Sequence, residues 1–449
     1  MTSERAGSFH RLTRHRSFLC SGITHWNDTR DPPEGAPMRL SISRRAPIHL
    51  GLTLVAFGVI TPPATAQAAA SDPDVLGVSQ SATGPVNPVP GMPSAEATRT
   101  DRATPQGPVV NVASCSESDL QAAIGAVATV SGTVNLRPGC TYTLTDAAPP
   151  NDDNGLPVIT STVTINGSGD TITRAAGAAN FRFFQVNGSN GNLTLNSLTL
   201  SNGHASSSLG NGRGGAIWLS GSGPGLMLNN TVLTANTADS FGGAVDNDNG
   251  TLTVRGSVLR NNTAAAGGAL FISPFGGSGR ASVSTSTIVG NHARTLAGGI
   301  AAAVGTTVTL SSSVVSGNDV TGSNALGGGI AQAGTITLQT STVTGNTATG
   351  SNAQGGGIYN LTGTVRLTDS PVLGNTTNGT NSRGGGIVNT ASGNATLTRS
   401  PVTRNQALGT GADAGGIFRA SGTVTLNVSP VVFNQPNNCG SPSTVPGCV

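Results

Sequence analysis

One recurring phrase restricts what this chain can fold into. Two or three small residues, mostly glycine, lead into an aliphatic residue at Ile217, Val245, Leu270, Ile300, Ile330, Ile358, Ile387 and Ile417. The steps between them are 28, 25, 30, 30, 28, 29 and 30 residues. Self-similarity at a period of this size marks stacked repeats rather than a closed domain.

A second phrase follows each first one, as in TVTLSSSVVSGN from Thr307 to Asn318 and TVRLTDSPVLGN from Thr364 to Asn375. Aligned on the aliphatic residue that closes its strand, it carries three columns. A hydroxyl residue comes three places on, for example Ser313, Ser341 and Ser370. An aliphatic comes five places on, for example Val315, Val343 and Val372. Eight places on stand Asn236, Asn262, Asn291, Asn318, Asn346, Asn375, Asn405 and Asn434.

Short alternating runs rich in Val, Thr, Ile and Leu read as strands with one buried face. A unit of about 28 residues has room for three short strands and three turns, and no long helix. Such a unit buries its apolar side only by stacking on its neighbours. Each strand then lies parallel to its equivalent, about 4.8 Å away, and like residues form ladders. The Asn column is expected to be a structural ladder, each amide bonding turn backbone groups and the next Asn. The glycines permit a tight or left-handed bend before the next strand. The predicted fold is all-β: a right-handed parallel β-helix, with the hand that parallel crossovers prefer.

Composition narrows the function. The chain has no lysine, no glutamate after Glu117, and only 10% charged residues. The net charge of +3 comes from scattered arginines. No basic run with interleaved aromatics is present, so no nucleic-acid partner is expected.

Residues 1–37 lack periodicity and read as a mis-assigned upstream leader. Met38 opens a secretory signal over 38–70: Arg39, Arg44 and Arg45, then the apolar Leu50–Ile60, then small-residue cleavage sites at Ala64–Ala70. That apolar run is too short to span a membrane, so no transmembrane anchor is expected in the mature chain. Residues 71–110 hold seven prolines and read as a disordered linker. The β-helix is expected over 111–438 and a disulfide-closed tail over 439–449. At its start, Ser116 and Asp119 have capping-box spacing. Leu120, Ala123, Ile124 and Val127 then fall on one face of a short N-terminal capping helix. Cys115, Cys140, Cys439 and Cys448 form an even set in an exported chain, with Cys115–Cys140 and Cys439–Cys448 the expected pairs. Metal ligation by these cysteines is the alternative.

The repeated GGAI followed by aliphatic-x-x-Asn resembles the polymorphic outer-membrane-protein repeat of bacterial adhesins, with Leu, Ile or Val replacing the Phe of their second motif. GTVNLRPGCTYTLT, LPVITSTVTINGSG and NLTLNSLTLSNG resemble secreted right-handed β-helix proteins of actinobacteria, in the pectin-lyase-like superfamily. The resemblance covers roughly Cys115 to Cys439 and implies the fold more than a function. The adhesins end in a membrane β-barrel where this chain has a Pro/Gly/Ser tail, so outer-membrane anchoring is not carried over.

Many pectin-lyase-like proteins cleave acidic polysaccharides, which requires clustered carboxylates with a cation or a paired acid and base. In the repeats only Asp246 and Asp248 (DNDNG) stand close together, and Trp218 and Phe271 flank the Asp246 column. The pair is a weak metal candidate, and a polar turn is the plainer reading. Asp152, Asp153 and Arg174 near the start are the other residues an irregular loop can gather. His204 and His292 read as isolated and solvated, and Asp369 with Arg399 as a surface ion pair. Paired threonines such as Thr307/Thr309 and Thr335/Thr337 resemble an ice-binding face, interrupted by Arg280, Arg366, Met227 and Asn394.

The expectation is an extracellular, monomeric, cofactor-free β-helix with a non-catalytic surface, matrix or adhesion role. Its expected partner is an extracellular glycan or surface protein. The alternatives are a polysaccharide lyase or glycoside hydrolase and, behind these, an ice-binding protein.

Overall fold

The computed structural model describes residues 107–148, 153–208, 211–274, 277–440 and 444–448. The leader, the signal segment, most of the linker and Asp152 lie outside the described residues.

Every strand pairing is parallel, and equivalent residues stack coil upon coil, as in Ile330↔Ile358↔Ile387↔Ile417. The strands form three sheets of 21, 8 and 10 members, here called sheets 1, 2 and 3. The architecture is a right-handed parallel β-helix. In one coil, Ile358–Asn360 lies in sheet 3, Thr364–Thr368 and Val372–Leu373 in sheet 1, and Thr376–Asn378 in sheet 2. The enclosed core takes its aliphatic columns from sheets 1 and 3, for example Ile358, Val365, Leu367 and Val372, while sheet 2 buries small residues such as Val320 and Ala348 against Ala325 and Ala353.

Four strands per coil replace the three expected, because sheet 1 is folded along a line. The fold line is a column of left-handed residues: Thr285, Ser312, Thr340, Asp369, Arg399 and Val428 have φ between 46° and 50°. These six are not glycine, although side chains disfavour this conformation, and only Gly256 among the neighbouring coils places a glycine there. The next residue explains how the bend is held. Ser341 N–H donates to Ser370 Oγ at 3.1 Å, and Ser370 N–H to Ser400 Oγ at 3.0 Å. Ser370 Oγ in turn donates to Thr368 O at 2.7 Å. The hydroxyl column therefore satisfies the amides that the bend takes out of the strand ladder.

The Asn column does the same at the corner between sheets 1 and 2. Asn346 N–H and Nδ2 both donate to Asn375 Oδ1 at 2.9 Å, and Nδ2 also to Val315 O at 3.0 Å. At the last coil Asn438 supplies the missing acceptor: Asn434 N–H and Nδ2 both reach its Oδ1 at 3.1 Å. The glycine phrase has two separate causes. Gly355 is left-handed at φ +68°, while a Cβ on Gly356 would lie 2.4 Å from Thr376 O.

Helix α1 (Glu117–Gly125) covers the first coil, burying Leu120, Ala123 and Ile124. Ser116 caps it by accepting from Asp119 N–H. The return half of a capping box is absent, since the Asp119 carboxylate accepts from Ser114 Oγ instead. Disulfides join Cys115 to Cys140 and Cys439 to Cys448. The chain joins sheet 1 at Val109–Asn111, just ahead of the expected boundary, because Val109 and Val110 pair with Thr133 and Val134.

Candidate functional site

The outer face of sheet 3 positions the site. Its outward column runs Gln185, Trp218, Asp246, Phe271, Ala301, Ala331, Tyr359, Val388, Phe418. From Phe271 onward this column packs against the chain that carries the glycine phrases, including Ala297, Leu326 and Ala414. A second small apolar core results, outside the main one. In the first coils the same space holds charges.

Arg213 stands just before GGAI and reaches across to the next coil. Its Nε donates to Asp246 Oδ2 at 2.5 Å and its Nη1 to Asp248 Oδ2 at 2.9 Å. Ser273 Oγ donates to Asp248 Oδ1 at 2.8 Å. Arg182, one coil earlier and 1% exposed, donates from Nε to Arg213 O at 3.0 Å and from Nη1 to Asn154 Oδ1 at 2.8 Å. Both guanidinium groups lie over the Trp218 ring, at 5.1 Å and 5.9 Å from its centroid. Arg213 also lies 5.5 Å from the Phe241 ring, which stacks on Phe271.

Burial governs the ionisation. Asp246 is fully enclosed, and loss of water pushes its carboxyl up to about 7, while Arg213 pulls against that shift. Burial lowers Arg182 to about 10, opposed by Asp153 and Asp246. Two buried polar atoms on adjacent strands have no hydrogen-bond partner in the protein: Asp246 Oδ1 and Trp218 Nε1. One accepts and one donates.

Later coils fill most of this space with apolar residues, and Arg383 lies over Phe418 there without an enclosed carboxylate beside it. Enclosing ion pairs where apolar side chains serve is seldom a gain in stability. Departures of this kind concentrate at functional sites. The arrangement encloses an indole donor and a carboxyl acceptor between two guanidinium groups, and leaves the Trp218 ring half-buried at the surface.

Several sequence expectations change here. Asp246 and Asp248 do not form a polar turn. They lie in the strand Val245–Asp248, buried, with the Arg213 guanidinium in the place envisaged for a cation. Among the described residues no group of three or more His, Cys, Asp or Glu is placed to hold a metal ion. The histidines are not isolated: His204 Nε2 lies 3.2 Å from Asp239 Oδ1, and His292 Nδ1 lies 2.7 Å from Asp319 Oδ2. Asp153 joins the electrostatics of Arg182, but Arg174 turns away to donate to Asn202 O and Ala178 O. Asp369 and Arg399 form a two-pronged pair at 2.7 Å and 2.8 Å on the exposed surface. Sequence reasoning missed Arg182, Arg213 and Trp218. Arginine before a glycine phrase recurs at Arg383, which lies over Phe418, so for Arg213 the signal was the acidic pair Asp246 and Asp248 one coil on.

No known family pattern matches the chain, and no curated protein matches it. Among solved structures, the A-module of the Azotobacter vinelandii mannuronan C-5 epimerase AlgE6 aligns at 16% identity and TM-score 0.30, over 74% of this chain and 100% of that one. The pectate lyase Pel9A aligns at 14% identity and TM-score 0.36, over 66% of this chain and 72% of that one. The bacteriophage CBA120 tailspike protein 3 aligns at 13% identity and TM-score 0.26, over 73% and 59%. The scores are low, and the assignment of the fold rests on the strand register above.

Proposed function

We propose that this is a secreted, non-catalytic β-helix protein with a surface, matrix or adhesion role, and that it binds an extracellular glycan at the first coils of sheet 3. One observation carries the reading. Trp218 is a half-buried aromatic ring flanked by Arg182 and Arg213, near the start of a column that later coils fill mainly with apolar residues. Sugar ring faces pack on aromatic rings, and guanidinium groups beside the ring hydrogen-bond to hydroxyls. The test is a glycan array probed with wild type and with Trp218→Ala. Removing a central aromatic anchor typically costs 2 kcal/mol or more, so the variant is expected to bind roughly thirtyfold more weakly. Trp218 is one of two tryptophans in the chain, the other being Trp26 in the leader, so a change in its fluorescence reports the contact directly. Equal binding by the variant refutes this site.

The second reading is an enzyme acting on a polysaccharide, with Asp246 as proton donor. Burial raises this carboxyl to about 7, but Asp246 is enclosed and held by Arg213, so the reading requires a rearrangement that exposes it.

A further inference from the structure

The two ends of the solenoid are closed differently. Helix α1 lies over the first coil, and Glu117, Asp119 and Arg137 put charge at that end. At the other end the tail extends two of the three sheets. Cys439–Gly440 adds a strand to sheet 3, and Gln435 bridges to Gln406 of sheet 2. Sheet 1 gains no such cover: among the described residues no strand pairs with the far edge of Thr423–Asn427 or of Val431–Val432.

That edge carries backbone groups aimed at a further strand. Asp369 N–H donates to Thr398 O at 3.0 Å and Arg399 N–H to Asn427 O at 2.9 Å, each to the next coil. Val428 occupies the same place in the last coil. Alternate residues of a parallel ladder face opposite neighbours, so Val424 and Leu426 face forward with Val428, while Thr423 N–H donates backward to Gly393 O. The core beneath is open as well. Leu397 and Leu367 are 0% and 1% exposed, whereas Leu426 in the same column is only half-buried.

The side chains at this end break the pattern of their columns. Val428 and Phe433 are left-handed at φ 50° and 60°, and they are 84% and 77% exposed. In earlier coils the place of Phe433 is taken by Gly345, Gly374 and Arg404. A β-branched or bulky residue in this conformation is costly, and neither gains burial within its own chain. Edge strands are ordinarily guarded by charge. This one is not: Arg419 is the last charged side chain, and Gly422 O and Thr444 O hold its guanidinium.

We infer that two copies of this chain join through their last coils, sheet 1 of one continuing into sheet 1 of the other across a two-fold axis beside Leu426. Antiparallel pairing then sets Leu426 against Leu426 of the second copy, and Val424 against Val428. The occupant of this edge has to bring an unpaired strand, an apolar core end and no charge, and a second copy of the same end brings all three. Val428 and Phe433 become enclosed. The opposite end, under α1, offers only the three-residue strand Val109–Asn111, so assembly stops at two. The dimer takes the place of the monomer expected from the sequence, and it does not depend on the glycan reading.

Sedimentation equilibrium of the full secreted chain tests this. Wild type is expected to dimerise at micromolar concentration, with no larger species. Val428→Lys combined with Phe433→Lys sets like charges across the axis and should weaken the dimer by roughly a hundredfold. At a dilution where wild type is monomeric, the variant should melt within about a degree or two of it, since both side chains are exposed. Val304→Lys, at a 42% exposed apolar position on a middle coil, should leave the dimer intact. A bifunctional thiol reagent should join two copies through Thr425→Cys, and not through Val109→Cys at the other end. Three results overturn the inference: wild type monomeric throughout the micromolar range, undiminished dimerisation of the double variant, or cross-linking through Val109→Cys as readily as through Thr425→Cys.

Discussion

Replacing Arg213 by methionine should destabilise the protein by about 3–5 kcal/mol at pH 8.5 and by clearly less at pH 5. The side chain donates to both Asp246 and Asp248, and removing it withdraws the cation from two enclosed carboxylates. The pH dependence follows from Asp246. Its native pKa of about 7 lies above the ordinary 3.8, because burial disfavours its charge. A carboxyl shifted upward contributes its full stabilisation below the ordinary value and loses it as pH rises through the native one. Below about 7 the carboxyl is protonated, so the variant strands one charge fewer. Thermal unfolding of Arg213→Met and wild type at the two pH values checks this. An equal cost at both would place the charge on Asp246 at pH 5 and contradict the burial argument.

Deleting Gly355–Arg383 should leave a folded protein one coil shorter, whereas deleting Gly355–Asp369 should abolish cooperative unfolding. The first removes one step of the register, since Gln354 pairs with Arg383 and Ile358 with Ile387. Gln354 is then followed by Gly384 and the next sheet 3 strand, and every column continues. Each coil contacts only its neighbours, so the loss is one coil and one interface. The second deletion places Ser370, from the fold line of sheet 1, where the left-handed glycine before sheet 3 is required. Asn375 and Ile387 then fall out of their columns together. Circular dichroism and thermal melting separate the outcomes. A folded half-coil deletion beside an unfolded whole-coil deletion would contradict the register.

The columns were legible because period and chemistry repeat together. Ile358, Ser370, Val372 and Asn375 recur at matched spacing, and each has a physical task that stacking makes common to every coil. The fold line in sheet 1 was hidden, because apart from Asn230 and Gly256 its left-handed positions are filled by Thr, Ser, Asp, Arg and Val, which carry no such signal. The His292–Asp319 pair was within reach. Each residue follows a ladder Asn by one place, at Asn291 and Asn318, so the register alone stacks them. The charged cluster was not within reach in the same way. Arg213 precedes a glycine phrase while Asp246 follows the next one, and only the covering of sheet 3 by the glycine-phrase chain brings them together. Asp246 also sits between Trp218 and Phe271 in its column, which disguised a buried ion pair as a turn.

Recognition of a glycan without turnover is measurable in a single experiment. Wild-type protein is held with a polysaccharide that it binds, between pH 5 and pH 8, with and without Ca²⁺, while unsaturated and reducing ends are followed in time. Sustained binding, sensitive to Trp218→Ala, and no new chain ends above the blank are expected. New ends that accumulate with time and disappear in Asp246→Asn would contradict it, and would make Asp246 the proton donor of an enzyme.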